Sequence, residues 1–132
     1  MKLTDLAILD WVLINNTPHR IQAIDSIDAE ILADDDLYYV GEDRCHSEDK
    51  IEGIPITPEI LENNGFIKVN SQRYDYGYPD TDCYVKVNPK KNMIHVNGRN
   101  ANSNLYSHSF VHELQRALRL CGLNELADNF KV

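Results

Sequence analysis

Cysteine is scarce in this chain of 132 residues: Cys45, Cys83 and Cys121 are the full set, far apart and without a C-x-x-C pair. That usage excludes a disulfide framework and suits a reducing compartment, so a cytoplasmic protein is expected. No apolar run approaches the ~20 residues a membrane helix requires. Asp5 and Asp10 interrupt the opening residues, which therefore lack the continuous apolar segment of a signal peptide. Without secretion, the acceptor-like triplet Asn15-Asn16-Thr17 carries no meaning. No P-loop, G-x-G-x-x-G or G-x-S-x-G string occurs, so the familiar phosphate cradles and the nucleophile elbow are excluded. Basic charge is also short, with 13 Lys and Arg against 21 Asp and Glu and a net charge of −8.

What is present describes an ordinary folded chain. Apolar residues make up 42% and charged residues 26%, which excludes gross disorder. A chain of this length hides roughly two thirds of its unfolded surface and needs neither disulfide nor metal to fold. The charge is uneven: residues 1–52 hold thirteen acids and four bases, a balance of −9, and the remainder holds eight acids and nine bases. Phosphate backbones reward clustered Lys and Arg, so direct nucleic-acid binding by the first part is disfavoured.

The pattern predicts two modules meeting near Glu52-Gly53. In the first, Trp11–Ile14 and His19–Ile24 read as a hairpin around Asn15-Asn16-Thr17-Pro18, with Ile21 and Ala23 on one face. Ala29–Ala33 and Leu37–Val40 read as further strands, Asp34–Asp36 as a turn, and Gly41–Lys50 as a polar loop. Short strands at this spacing suggest a small SH3-like β-barrel or a curled sheet.

The second module opens on a helix with both ends marked. Thr57 suits the N-cap, Pro58 the first turn, Gly65 the left-handed position after the helix, and Phe66 the apolar contact beyond it. Phe66–Val69 and Arg73–Tyr76 read as strands. Cys83–Val87 and Met93–Asn97 read as an antiparallel hairpin with Val85, Val87, Ile94 and Val96 inward, and Gly98–Tyr106 as a loop. A helix is expected from about Ser109 to Cys121, with Phe110, Leu114, Ala117, Leu118 and Cys121 on its apolar stripe. His112, Gln115, Arg116 and Arg119 fall on the opposite side, Gly122 at the C-cap, and Asn124 caps a last helical turn, Glu125–Asp128. The class is therefore α+β: a small β module over 1–52, then helix, antiparallel sheet and C-terminal amphipathic helix over 53–132.

Three stretches carry a resemblance. Ile8-Leu9-Asp10-Trp11-Val12-Leu13-Ile14, Ile54-Pro55-Ile56-Thr57-Pro58-Glu59-Ile60-Leu61 with Asn64-Gly65-Phe66, and Phe110-Val111-His112-Glu113-Leu114-Gln115 span most of the chain. They resemble landmarks of a group of short proteins encoded by gut anaerobes, their phages and other mobile elements. In that group a Gly precedes the Asp-Trp pair, where this chain has Leu9. The resemblance implies a shared architecture and no established activity, and it supplies no catalytic residue.

Candidate chemistry is sparse. His108 and His112 have the i, i+4 spacing of a helical metal pair, but the glutamate follows the second His, so the string is not H-E-x-x-H, and zinc would need a third ligand. Cys45-His46 with Glu48 and Asp49 is a second cluster in a polar stretch. Asp34-Asp35-Asp36 lacks the alternate spacing of a calcium loop. Tyr74, Tyr76, Tyr78 and Tyr84, with Asp75, Asp80 and Asp82, form an aromatic, polar stretch of the kind found at recognition surfaces. The expectation is a non-catalytic protein-binding or accessory protein without a cofactor, with Tyr74, Tyr76, Tyr78, Tyr84, His112, Arg116 and Arg119 as its candidate surface and another protein as partner. Two alternatives are a nucleic-acid mimic built on Asp25, Asp28, Glu30 and Asp34–Asp36, and a metal-dependent hydrolase built on His108 and His112.

Overall fold

The computed structural model describes residues 1–34, 45–77, 84–98, 101–106 and 110–132. The chain divides into two compact units, Met1–Ile54 and Pro55–Val132. Both are built on antiparallel sheets, and the class is α+β.

The first unit begins with one 3₁₀ turn, Leu3–Asp5, and reaches β1 (Trp11–Ile14), whose buried residues Val12 and Ile14 alternate with partly exposed ones. Asn15 and Asn16 both adopt positive φ, 52° and 62°, which is the backbone of a two-residue type I′ hairpin turn. β2 (Thr17–Asp25) therefore starts earlier than the cluster of turn residues suggests and includes Pro18. Pro18 faces Leu13, one step from the Ile14–Thr17 pair that closes the hairpin. Antiparallel pairs alternate between hydrogen-bonded and non-bonded, so that second position asks no N–H of the proline.

The first half of β2 pairs with β1 and the second half with β3 (Glu30–Ala33), with a bulge between Ile21 and Ala23. The bulge breaks the period-two pattern. Ile21 is buried, while Ala23, expected on the same face, is exposed. β4 (Cys45–Ser47) pairs with β3, a 3₁₀ turn follows at Glu48–Lys50, and β5 (Ile51–Glu52) returns to β1. The order is β4-β3-β2-β1-β5. Among the described residues this is an open sheet and not a closed barrel. Its core is Leu3, Val12, Ile14, Ile21, Ile31, Ala33 and Ile51. The strand expected at Leu37–Val40 lies outside the described residues. β4 instead falls in the stretch read as a polar loop, because Cys45-His46-Ser47 gains its ladder from the edge of β3 and not from an apolar pattern.

In the second unit, α1 (Pro58–Asn63) has the ends its sequence predicts. Thr57 Oγ1 accepts from Ile60 N at 3.3 Å, Gly65 sits at φ +85°, and Phe66 N donates to Leu61 O at 3.0 Å. A five-stranded meander follows: β6 (Ile67–Lys68), β7 (Tyr74–Gly77), β8 (Tyr84–Asn88), β9 (Met93–Gly98) and β10 (Ala101–Tyr106), paired in chain order. Val85, Val87, Ile94 and Val96 form the inward face of the central hairpin. β10 replaces the loop expected from Gly98 to Tyr106. It pairs with β9 over six positions although Asn and Ser have low strand propensity, since the ladder is made by backbone and not by side chains.

α2 (Val111–Leu120) packs on β9 and is followed by α3 (Asn124–Asp128). Leu114, Ala117, Leu118 and Cys121 are buried as the stripe predicts. Burial extends further than the stripe, to Val111, His112 and Gln115. The expectation that His112 and Gln115 line a polar outer side is thus corrected. Gln115 Nε2 donates to Ala127 O at 3.0 Å, so α3 covers that side of α2. The His112 ring stacks on Phe110 at 5.8 Å between centroids. Asn64 ties the C-terminal tail to α1: its side chain donates to Lys131 O and accepts from Lys131 N, both at 2.8 Å. No helix among the described residues is long and apolar enough to cross a membrane.

Candidate functional site

The candidate site forms where α2 turns into α3. Gly122, at φ +83°, closes α2: its N–H donates to Arg119 O, and Leu123 N donates to Leu118 O at 2.8 Å. This tight reversal sets α3 against α2, where the Gln115 bond to Ala127 and an Arg119–Asp128 ion pair at 3.5 Å hold it. Tyr76 reaches the same place from β7. Its ring packs against Phe66, with centroids 5.4 Å apart and planes tilted by 49°. Gly65 lies beneath it, and a Cβ there would stand 3.4 Å from the ring.

Between these elements lies an open cleft of about 470 Å³ lined by Tyr76, Gly122, Leu123, Glu125, Leu126 and Asn129. Tyr76, Leu123 and Leu126 are half-buried and give it apolar walls. Glu125 and Asn129 are exposed and give it a polar rim. The lining is thus mixed, polar and apolar in similar measure, and can receive an amphipathic group.

The expected surface residues separate. Tyr74 is buried in the sheet at 5% exposure and is unavailable to a partner, because β7 turns it inward. Tyr76 joins the cleft. Tyr84 is half-buried beside the His95 ring at 6.3 Å, with Lys86 Nζ 5.2 Å from its centroid. Tyr78, Asp80, Asp82 and Cys83 lie outside the described residues. His112 is buried, Arg116 is exposed, and Arg119 is engaged with Asp128 near the cleft.

The chemical alternatives are also placed. His108 lies outside the described residues, and among those described no three His, Cys, Asp or Glu groups converge on a metal-sized position. Cys45 is exposed, while Glu48 Oε2 accepts from Leu3 N at 3.3 Å and so helps anchor the N-terminal turn. The Ser47 hydroxyl donates to the Asp49 carboxylate and holds its pKa below the ordinary value, assisted by the Asp49 backbone N–H. Of the acids proposed for mimicry, Asp25 caps its own turn by accepting from Ile27 N and Asp28 N, and Asp34 Oδ1 is 3.3 Å from His19 Nδ1. Asp28 and Glu30 share the Asp25 end of the hairpin, Asp34 lies past the other end of β3, and Asp35 and Asp36 lie outside the described residues.

Sequence reasoning missed Leu123, Glu125, Leu126 and Asn129. The signal was the Leu123, Leu126 pair at i, i+3 after the Gly122 break, but nothing in the sequence places that pair beside Tyr76. No protein-family model matches the chain, and comparison with curated proteins and with solved structures found no similar protein.

Proposed function

We propose that this is a non-catalytic protein-binding or accessory protein that works in the cytoplasm and recognises a protein partner through the cleft at the α2–α3 corner. The observation that carries this reading is the meeting of Tyr76 with Leu123 and Leu126 under a rim of Glu125 and Asn129. A tyrosine and two leucines offer contact area at low entropic cost, and the rim supplies orientation. The balance of −9 over residues 1–52 steers the encounter toward a basic partner. We further propose kinship in architecture with the short mobile-element proteins described above. It is supported by Leu9, which holds φ at 73° where those proteins have Gly.

The test is affinity capture from the native host at low and moderate salt, comparing the natural chain with Leu126→Asp. Recovery of one protein by the natural chain and its loss with Leu126→Asp are expected. If nothing is captured while a substrate screen finds turnover that requires His112, the enzyme reading replaces this one.

A further inference from the structure

We infer that the cleft accepts a basic side chain, an arginine from an exposed loop of the partner. This rests on the protein-binding reading above and specifies its chemistry. Three features of the cleft converge. Among the described residues, Glu125 is the one charged group lining it, and it is exposed. Gly122 lines the cleft and ends α2, so the cleft lies at the carbonyl end of a ten-residue helix, where the dipole favours positive charge. Arg119, the basic residue in the last turn of α2, is turned to Asp128, so among the described residues the lining of the cleft keeps a net negative charge.

The apolar part of the cleft matches the rest of an arginine. Its methylene stem can lie along Leu123 and Leu126 while the guanidinium meets Glu125. Tyr76 adds an aromatic ring, against which a planar, weakly hydrated guanidinium stacks better than an ammonium. A carboxylate also pairs with the guanidinium fork through two parallel hydrogen bonds, which lysine cannot offer. An acidic side chain would meet Glu125 and the negative end of the α2 dipole together, and a purely apolar one would leave the carboxylate unused.

The experiment is a titration of the isotope-labelled full chain with capped pentapeptides Gly-Ser-X-Ser-Gly, where X is Arg, Lys, norleucine or Glu, read by NMR. The Arg peptide is expected to shift the Tyr76 ring and the Leu123 and Leu126 methyl signals, with Lys weaker and Glu without effect. Glu125→Gln should weaken the Arg peptide roughly threefold, the range of an exposed ion pair, and Glu125→Lys should abolish the shifts. Glu125 is solvent-exposed, so the spectra of both variants elsewhere serve as the control for folding. Equal shifts with norleucine, or an unchanged response in Glu125→Gln, would overturn the arginine assignment and leave the binding cleft standing. No shift at the cleft with any peptide would also overturn it, and the capture comparison with Leu126→Asp would then decide the wider reading alone.

Discussion

Leu9 holds φ at +73°, in the left-handed region that side chains other than glycine seldom enter. Two hydrogen bonds fix it there: Leu9 N donates to Ile21 O at 2.8 Å, and Ile21 N returns to Asp10 O at 3.0 Å. Asp10 is buried at 1% exposure, and its Oδ2 accepts from Ala7 N at 2.8 Å. The strain is thus imposed by the turn that launches β1. A β-branched residue tolerates this φ worst, so Leu9→Val is expected to cost about 1–3 kcal/mol in urea unfolding. Leu9→Gly relieves the strain but gives up a half-buried side chain and gains unfolded-state freedom, so it should stay within about 1 kcal/mol of the natural chain. Equal losses for both would show that packing and not backbone geometry governs the site. Asp49 offers a second test at this scale. Its pKa is depressed chiefly by the Ser47 hydroxyl, so its contribution is present above the unfolded pKa and is lost as pH falls through the folded one. Ser47→Ala should raise the Asp49 titration midpoint seen by carboxyl NMR, and an unmoved midpoint would contradict the assignment.

At the scale of elements, legibility followed the source of each element's stability. α1 was readable because Thr57, Pro58, Gly65 and Phe66 define it locally. The β8–β9 hairpin was readable because Val85, Val87, Ile94 and Val96 alternate onto a core. β4 and β10 were not, since each is a polar stretch held by a neighbour's backbone. The covered side of α2 was also hidden, because burial of Gln115 at 0% exposure depends on where α3 folds. The same dependence hid most of the cleft: Tyr76 stood out as one of an aromatic run, while Leu123 and Leu126 gained meaning only from the turn at Gly122. Gln115 therefore makes a direct test of the α2–α3 element. Gln115→Ala removes the bond to Ala127 O and should cost about 1–3 kcal/mol. Amide exchange should accelerate most at Ala127 and Asn129, whose N–H groups donate to the Leu123 and Glu125 carbonyls and so close the turns of α3. Unchanged protection there would mean that packing alone holds α3.

At the scale of the molecule, each unit carries its own core. Among the described residues, seven apolar ones form the core of the first, and a larger set that includes Leu61, Phe66, Val85, Ile94, Leu114, Leu118 and Phe130 forms that of the second. Small domains bury a lower fraction of their surface and are correspondingly marginal, so the 1–54 unit is expected to unfold first. Trp11 is the single tryptophan, lies in β1, and has Arg20 5.6 Å from its ring across the hairpin, so its fluorescence reports the first unit. Leu118 is fully buried in the second unit, and Leu118→Ala should cost about 2–5 kcal/mol there. Denaturant unfolding of this variant should lower the midpoint followed by helix ellipticity at 222 nm, to which α1, α2 and α3 of the second unit contribute most. The Trp11 midpoint should hold nearly still. If both midpoints fall together by the same amount, the two cores unfold as one cooperative block, and the division at Ile54–Pro55 has no thermodynamic counterpart.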